Sequence, residues 1–230
     1  MRLFNPKFPN VYSKKNKRGR YNLYTINLIP GKKYFDEDLV NFDNVEYRFF
    51  DGRRSKLAAG MLNGLSQTGL REGQKVLYLG ASHGYTSSFV SDIVGMNGFI
   101  FALDFAPRVV RDLVFLCKDR LNMAPIMGDA NQPHQYKDRI TMVDFVFQDV
   151  AQKNQAEIFI KNCKQFLKPG CFGALAVKSR SIDITKKPKQ IYARVREQLE
   201  KELTIVDFKT LDPYERDHAM FVVKKKGSSF

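Results

Sequence analysis

The stretch Val76-Leu77-Tyr78-Leu79-Gly80-Ala81-Ser82-His83-Gly84-Tyr85-Thr86-Ser87 decides how the chain is read. Four apolar residues stopped by a glycine form a strand buried on both faces. A helix-like stretch follows through Phe89-Val90 and Ile93-Val94. Strand, glycine turn and helix make the opening of a parallel βαβ unit, and ligands of such sheets sit beyond the carboxyl ends of the strands. The glycines are spaced G-x-x-x-G. The nicotinamide fingerprint G-x-G-x-x-G is absent here, and no Gly-Lys-Ser/Thr follows as a P-loop requires. The turn suits a ligand that brings no phosphate to it.

Working outward, the same alternation continues. Phe99-Ile100-Phe101-Ala102-Leu103 is a second buried strand. Pro107 opens a helix with Val109, Val110, Leu113, Val114 and Leu116 turned inward. Pro125-Ile126-Met127 is a short third strand and Met142 to Phe147 a fourth. Residues 155–167 carry Ile158, Phe159, Phe166 and Leu167 at helical spacing, and Gly173 to Val177 form a fifth strand. Pro188 opens a helix with Ile191, Val195 and Leu199 on one face. The closing strands, Thr204 to Phe208 and Ala219 to Val223, have no helix between them and pair as an antiparallel edge hairpin. Upstream, Ser55 caps a helix whose apolar side holds Leu57, Ala58, Met61, Leu62 and Leu65.

The class is α/β. The outline is similar to the Rossmann-like sheet of class I methyltransferases that use S-adenosylmethionine, seven-stranded with the last strand antiparallel. Residues 53–230 fit that domain. Residues 1–52 read as a small N-terminal β domain, with strands at Asn10-Val11-Tyr12, Tyr21 to Ile26 and Val45 to Phe49. The charge run from Lys14 to Arg20 is either a solvated loop or a phosphate-contacting arm.

Composition agrees with a globular protein. Of 230 residues, 43% are hydrophobic and 27% charged, which excludes collagen, a disordered tail and a disulfide mini-protein. The net charge of +14 points to a polyanionic partner, nucleic acid first. Cys117, Cys163 and Cys171 form no C-x-x-C pair, so a disulfide frame or zinc site is not indicated. They read as buried reduced thiols. No apolar leader is apparent in Met1 to Pro6, and no run of ~18 apolar residues occurs. A soluble cytoplasmic protein without a membrane partner or metal is the expectation.

Three acids follow three strands. Asp104, 20 residues after Gly84, can accept hydrogen bonds from both ribose hydroxyls of an adenosine. Asp129 can accept from an adenine amino group, and Asp149 ends the fourth strand. Carboxylates gathered below a glycine turn suit the sulfonium of S-adenosylmethionine.

Six motifs, in order, resemble the fibrillarin family. They are Tyr47-Arg48…Arg54-Ser55-Lys56-Leu57-Ala58-Ala59, Leu77 to Ser82, Gly128-Asp129-Ala130-Asn131, Gln148-Asp149-Val150-Ala151-Gln152, Lys178-Ser179-Arg180-Ser181-Ile182-Asp183 and Glu215 to Val222. Lacking a Gly-Arg-rich tail, the chain resembles the short archaeal type. The resemblance implies transfer of a methyl group from S-adenosylmethionine to a ribose 2′-oxygen of ribosomal or transfer RNA, at sites chosen by a box C/D guide RNA. It implies a Nop-family scaffold protein and a kink-turn-binding ribosomal-type protein as partners. It also implies a cofactor seat made by Gly80, Ala81, Tyr85, Thr86, Ser87, Asp104, Phe105, Asp129, Ala130, Asp149, Val150, Ala151 and Gln152. Three positions depart from the family: Tyr85 stands where a threonine is usual, His83 is bulkier than the usual residue, and Asp104 stands where a glutamate is more usual, with a shorter reach to the ribose.

The resemblance assigns a catalytic set of Lys56, Asp149, Lys178 and His218. Lys178 is expected nearest the hydroxyl, held by Asp149. An unperturbed lysine, near 10.4, is a poor base at neutral pH. Lys56 and burial would lower it and Asp149 would raise it, so base and oxyanion-stabilising roles both stay open. Arg53, Arg54, Lys186, Lys187 and Lys189 flank the set and suit RNA phosphates. Two other functions fit the residues: glutamine methylation on a protein, and a non-catalytic RNA-binding subunit that keeps the fold.

Overall fold

The computed structural model describes residues 7–227; the Met1 to Pro6 stretch read above lies outside them. Four short strands come first: β1 (Val11–Lys15), β2 (Tyr21–Ile26), β3 (Leu39–Phe42) and β4 (Val45–Phe50). They pair antiparallel in the order β1-β2-β4-β3. Seven more strands form the main sheet: β5 (Lys75–Leu79), β6 (Phe99–Asp104), β7 (Met123–Met127), β8 (Val143–Gln148), β9 (Leu167–Lys178), β10 (Leu203–Thr210) and β11 (His218–Lys225). Their order is β10-β11-β9-β8-β5-β6-β7. β11 runs antiparallel to both its neighbours, β10 and β9, and the pairs from β9 through β8, β5 and β6 to β7 are parallel.

The helices are α1 (Lys56–Leu62), α2 (Tyr85–Val94), α3 (Pro107–Asp119), α4 (Gln155–Phe166), α5 (Ser179–Ile182) and α6 (Pro188–Glu200). They cover the sheet on both faces, which is why its strands read as continuous apolar runs. Val76 and Tyr78 pack with α1, α2 and α3, whereas Leu77 and Leu79 pack with α4 and α6. From β5 the chain builds one way through β6 to β7 and the other way from β8 to β9. The switch point therefore lies between the carboxyl ends of β5 and β8. Ser55 caps α1, its hydroxyl accepting from the Ala58 N–H.

Several elements depart from the sequence reading. β3 was missed because its four residues are at most half-buried and show no buried alternation. Lys14 and Lys15 belong to β1, so only 16–20 form a turn. Val114 is 40% exposed; the inward face of α3 is Val110, Leu113 and Leu116. Leu167 starts β9 directly at the end of α4 instead of extending that helix. Cys163 is buried, but Cys117 and Cys171 are only half-buried; all three are free thiols. The N-terminal sheet does not carry a core of its own. Val11, Leu23 and Phe50 join the cluster formed by α1, α2 and the main sheet, with Phe50 stacked on Phe89 at 4.5 Å. No helix among the described residues is long and apolar enough to cross a membrane.

Candidate active site

The glycine turn after β5 is built on close approach. Gly80 has φ +80°, and a Cβ there would lie 2.3 Å from the Asp149 carbonyl oxygen. Only glycine lets the ends of β5 and β8 meet this tightly. The Gly80 and Ala81 N–H groups both donate to the Leu103 carbonyl at 2.9 Å, locking the turn to β6. Ser82 takes a left-handed φ of 52°, which costs a non-glycine residue energy and is held by its surroundings. Its N–H donates to Asp104 Oδ2 at 2.9 Å.

Beyond these strand ends lies a cavity of about 330 Å³, within the range of small-molecule sites. Gly80, Ser82, Leu103 and Asp104 line one side, with Phe105 at the mouth, 69% exposed. Gly128 and Ala130 line the β7 side, and Asp149, Val150, Ala151 and Gln152 the β8 side. Asp104 accepts one backbone N–H on each oxygen, from Ser82 and from Ala106, and keeps lone pairs for further donors. It is not the cap of α3, a place taken by Ala106.

The remaining residues expected at the cofactor lie off this wall. Ala81 is buried under the turn. Asp129 Oδ1 accepts from the Asn131 N–H, so its carboxylate braces the turn after β7. Tyr85 packs against Phe35 and Phe89, at 5.5 and 5.1 Å, and under the Arg54 guanidinium at 4.3 Å. Ser87 is fully buried, its hydroxyl donating to the Gly84 carbonyl. Helical spacing turns Tyr85 and Ser88 toward the N-terminal sheet. Thr86 lies beside the Tyr78 phenol. His83 points to Asp112 on α3, Nδ1 to Oδ2 2.9 Å.

The four expected catalytic residues share one rim. Lys56, first residue of α1, donates from Nζ to Asp149 Oδ2 at 2.8 Å. Burial alone would lower the Lys56 pKa, but the charge and hydrogen bond of Asp149, with Glu215 adding, raise it on balance. Lys56 is an ammonium at neutral pH. Lys178 and His218 are direct cross-strand partners in β9 and β11. Their neighbours two residues on, Ala176 and Met220, pack on the α1 face, so Lys178 and His218 project to the side where Lys56 sits. Lys178 is exposed, and among the described residues its ammonium has no hydrogen-bond or ion-pair partner. Asp149 thus holds Lys56, not Lys178 as expected. His218 is 8% exposed, and its Nδ1 lies 2.7 Å from the Arg216 carbonyl. A carbonyl only accepts, so Nδ1 carries the proton and a neutral ring offers its Nε2 lone pair.

A family model described as Fibrillarin matches residues 4–227. The chain belongs to the fibrillarin family. It is 47% identical over 225 residues to the fibrillarin-like rRNA/tRNA 2′-O-methyltransferase of Thermococcus onnurineus, covering 98% of this chain and all of that one. Among solved structures, Aeropyrum pernix fibrillarin with natively bound S-adenosyl-L-methionine superposes with a TM-score of 0.88 at 40% identity, covering 95% of this chain and 96% of that one. A fibrillarin chain from a fibrillarin/Nop5p complex gives 0.82 at 35% identity, covering 95% and 98%.

Of the departures from the fibrillarin motif, His83 bonds to Asp112 and Tyr85 packs on Phe35, both outside the cavity lining, whereas Asp104 lines it. Of the cations expected on RNA, Arg53, Lys187 and Lys189 are exposed, and Lys186 is exposed with Asp183 at 3.9 Å. Arg54 is exposed as well, with one nitrogen donating to the Phe35 carbonyl and its guanidinium over the Tyr85 ring. Sequence reasoning passed over three residues of this fibrillarin rim. Ser82 was quoted in the turn but not placed in the wall. Gln155 is fully buried; its amide accepts from the Lys178 N–H at 2.9 Å and donates to the Lys178 carbonyl at 3.1 Å, fixing the end of β9. Glu215 lies 4.0 Å from His218 Nδ1. A glutamine at a helix start and a glutamate in a loop carry no local signal of such roles.

Proposed function

We propose that this chain transfers a methyl group from S-adenosylmethionine to the ribose 2′-hydroxyl of rRNA and tRNA. The observation that carries the reading is the Lys56–Asp149 pair at the edge of the Asp104 cavity, with Lys178 and His218 opposite each other at the ends of β9 and β11 on the face that carries α1. The cavity fits the nucleoside. Asp104 has spare acceptors for ribose hydroxyls, Leu103, Phe105 and Val150 offer apolar walls for a base, and Asp149 suits a positive sulfur. When bound, S-adenosylmethionine supplies a methyl group already activated for in-line displacement.

The chain's own residues then position the acceptor and manage its proton. Lys56 stays charged and pins the Asp149 carboxylate at the cavity edge. Lys178, without a partner among the described residues, donates to the target 2′-oxygen, orients it and stabilises the negative charge that develops there. Gln155 sets where Lys178 leaves the strand. His218, with Nδ1 spent on the Arg216 carbonyl, takes the hydroxyl proton on Nε2. Arg53, Lys186, Lys187 and Lys189 contact RNA phosphates. A Nop-family scaffold, a box C/D guide RNA and a kink-turn-binding protein complete the particle, which acts in the cytoplasm. His83 and Tyr85, which depart from the family's glycine loop, are not part of the cavity lining.

The test is methyl transfer in a particle assembled with scaffold and guide RNA, using a target with a single 2′-deoxy position. Labelling of the ribose target and its loss on the deoxy target are expected. Transfer that survives the deoxy substitution, or occurs on protein alone, refutes the reading.

A further inference from the structure

A second concave surface lies one step from the rim, between the β1–β2 hairpin and the segment leading into α1. This groove, of about 250 Å³, is bordered by Arg18, Arg20, Tyr21, Asp51, Arg53 and Tyr214. All three arginines are exposed, and none is paired with a carboxylate among the described residues. The acid in the wall, Asp51, gives its Oδ1 to the Arg53 N–H. Three uncompensated guanidiniums facing one groove make a positive channel.

The hairpin tip is a braced turn, not a loose arm. Asn16 Oδ1 accepts from the Arg18 and Arg20 N–H groups at 2.9 and 3.1 Å, and the Asn16 N–H donates to the Arg20 carbonyl at 2.8 Å. Gly19 supplies the positive φ of 73° that closes it. The arginines are thus presented from a fixed backbone, which lowers the entropy cost of engaging a ligand. Tyr21, 53% exposed, carries Lys15 Nζ at 5.5 Å from its ring centre. An exposed aromatic ring beside arginines is the surface on which an unpaired base stacks.

Two chain segments link the groove to the rim. Arg53 stands three residues before Lys56, and Tyr214 adjoins Glu215, which acts on both Lys56 and His218. We propose that the groove binds a single-stranded segment of RNA, its phosphates on Arg18, Arg20 and Arg53 and a base against Tyr21. It guides the strand that flanks the methylated nucleotide toward Lys178. The occupant rests on the RNA reading above, but binding is measured without methyl transfer.

The experiment is equilibrium binding of the full chain to a fluorescent 12-nucleotide single-stranded RNA across a salt series. The double variant Arg18→Gln/Arg20→Gln should bind about tenfold more weakly, with a log–log salt slope shallower by about 1.4. Tyr21→Ala should weaken binding about fivefold or more without altering the slope. A charge-matched control, Lys118→Gln/Lys201→Gln, on exposed lysines outside the groove, should change affinity less than twofold. Equal losses in the double variant and the control, or no loss in either, overturn the proposal. So does a double variant that keeps RNA affinity but no longer joins the scaffold protein, which would make the groove a protein contact. A wild-type chain that binds RNA but transfers no methyl group would refute the preceding section and leave this one standing.

Discussion

Two groups of charged side chains, one at the seam between the sheets and one at the rim, are built on opposite plans. At the seam between the sheets, Arg48 meets Glu37 Oε1 through Nε and Nη2 at 2.9 and 2.7 Å, and Asp92 Oδ2 through Nη1 at 2.7 Å. The other oxygen of Asp92 takes Arg120 Nη1 at 2.7 Å, and Thr25 donates to Oδ2 at 2.8 Å. Two guanidiniums face two carboxylates, and all four side chains are closed to solvent. At the rim, Lys56 and Asp149 are 20% and 25% exposed, and among the described residues the Lys178 ammonium has no partner and His218 keeps one ring nitrogen free of any bond. Charges that neutralise one another inside the protein join elements. Charges with spare valence at strand ends act on something that arrives.

The contrast is open to attack from either side, and the largest effect lies at the seam. Asp92→Ala leaves both buried guanidiniums without a shared carboxylate and should cost about 3–5 kcal/mol. That corresponds to a fall of roughly 10 °C or more in Tm, read by thermal unfolding. A loss under 1 kcal/mol would mean the seam is not a structural joint. Lys56→Gln should do the reverse: about 10- to 100-fold slower methyl transfer with less than ~1 kcal/mol of stability lost, because that pair is partly solvated. A large drop in Tm with unchanged transfer would move Lys56 into the structural class.

The smallest effect is on acid stability. Burial would raise the Glu37 pKa, yet the Arg48 charge and the hydrogen bonds from Arg48 and the Phe35 N–H bring it below its ordinary 4.5. A carboxylate whose folded value is depressed adds stability above the unfolded value and loses it as pH falls through the folded one. The wild-type chain should therefore lose stability below pH 4.5 more steeply than Glu37→Gln. Denaturant midpoints from pH 3 to 7 read the difference, and parallel pH profiles would contradict it.

The same contrast explains what could be read without a structure. The main sheet was legible because Val76 to Leu79, Phe99 to Leu103 and Gly173 to Val177 are continuous apolar runs, a pattern that burial on both faces imposes. The rim was legible only through a motif match, since one lysine before a helix and another ending a strand are ordinary surface features. The seam was invisible. Arg48 and Arg120 look like any exposed cation, and their burial depends on Glu37 and Asp92, at sequence separations of 11 to 44 residues. The residues after Gly84 show a related limit: helix geometry sends Ser87 inward and Tyr85 onto Phe35, and spacing alone does not reveal that rotation.

The most direct test is single-turnover methylation by Lys178→Ala in a particle with scaffold, guide and target RNA. S-adenosylmethionine affinity should stay within about twofold and Tm within about 2 °C, since Lys178 is an exposed side chain without a partner among the described residues, while transfer falls by about 100-fold or more. A Lys178→Ala particle that methylates at the wild-type rate would show that the rim does not carry the chemistry.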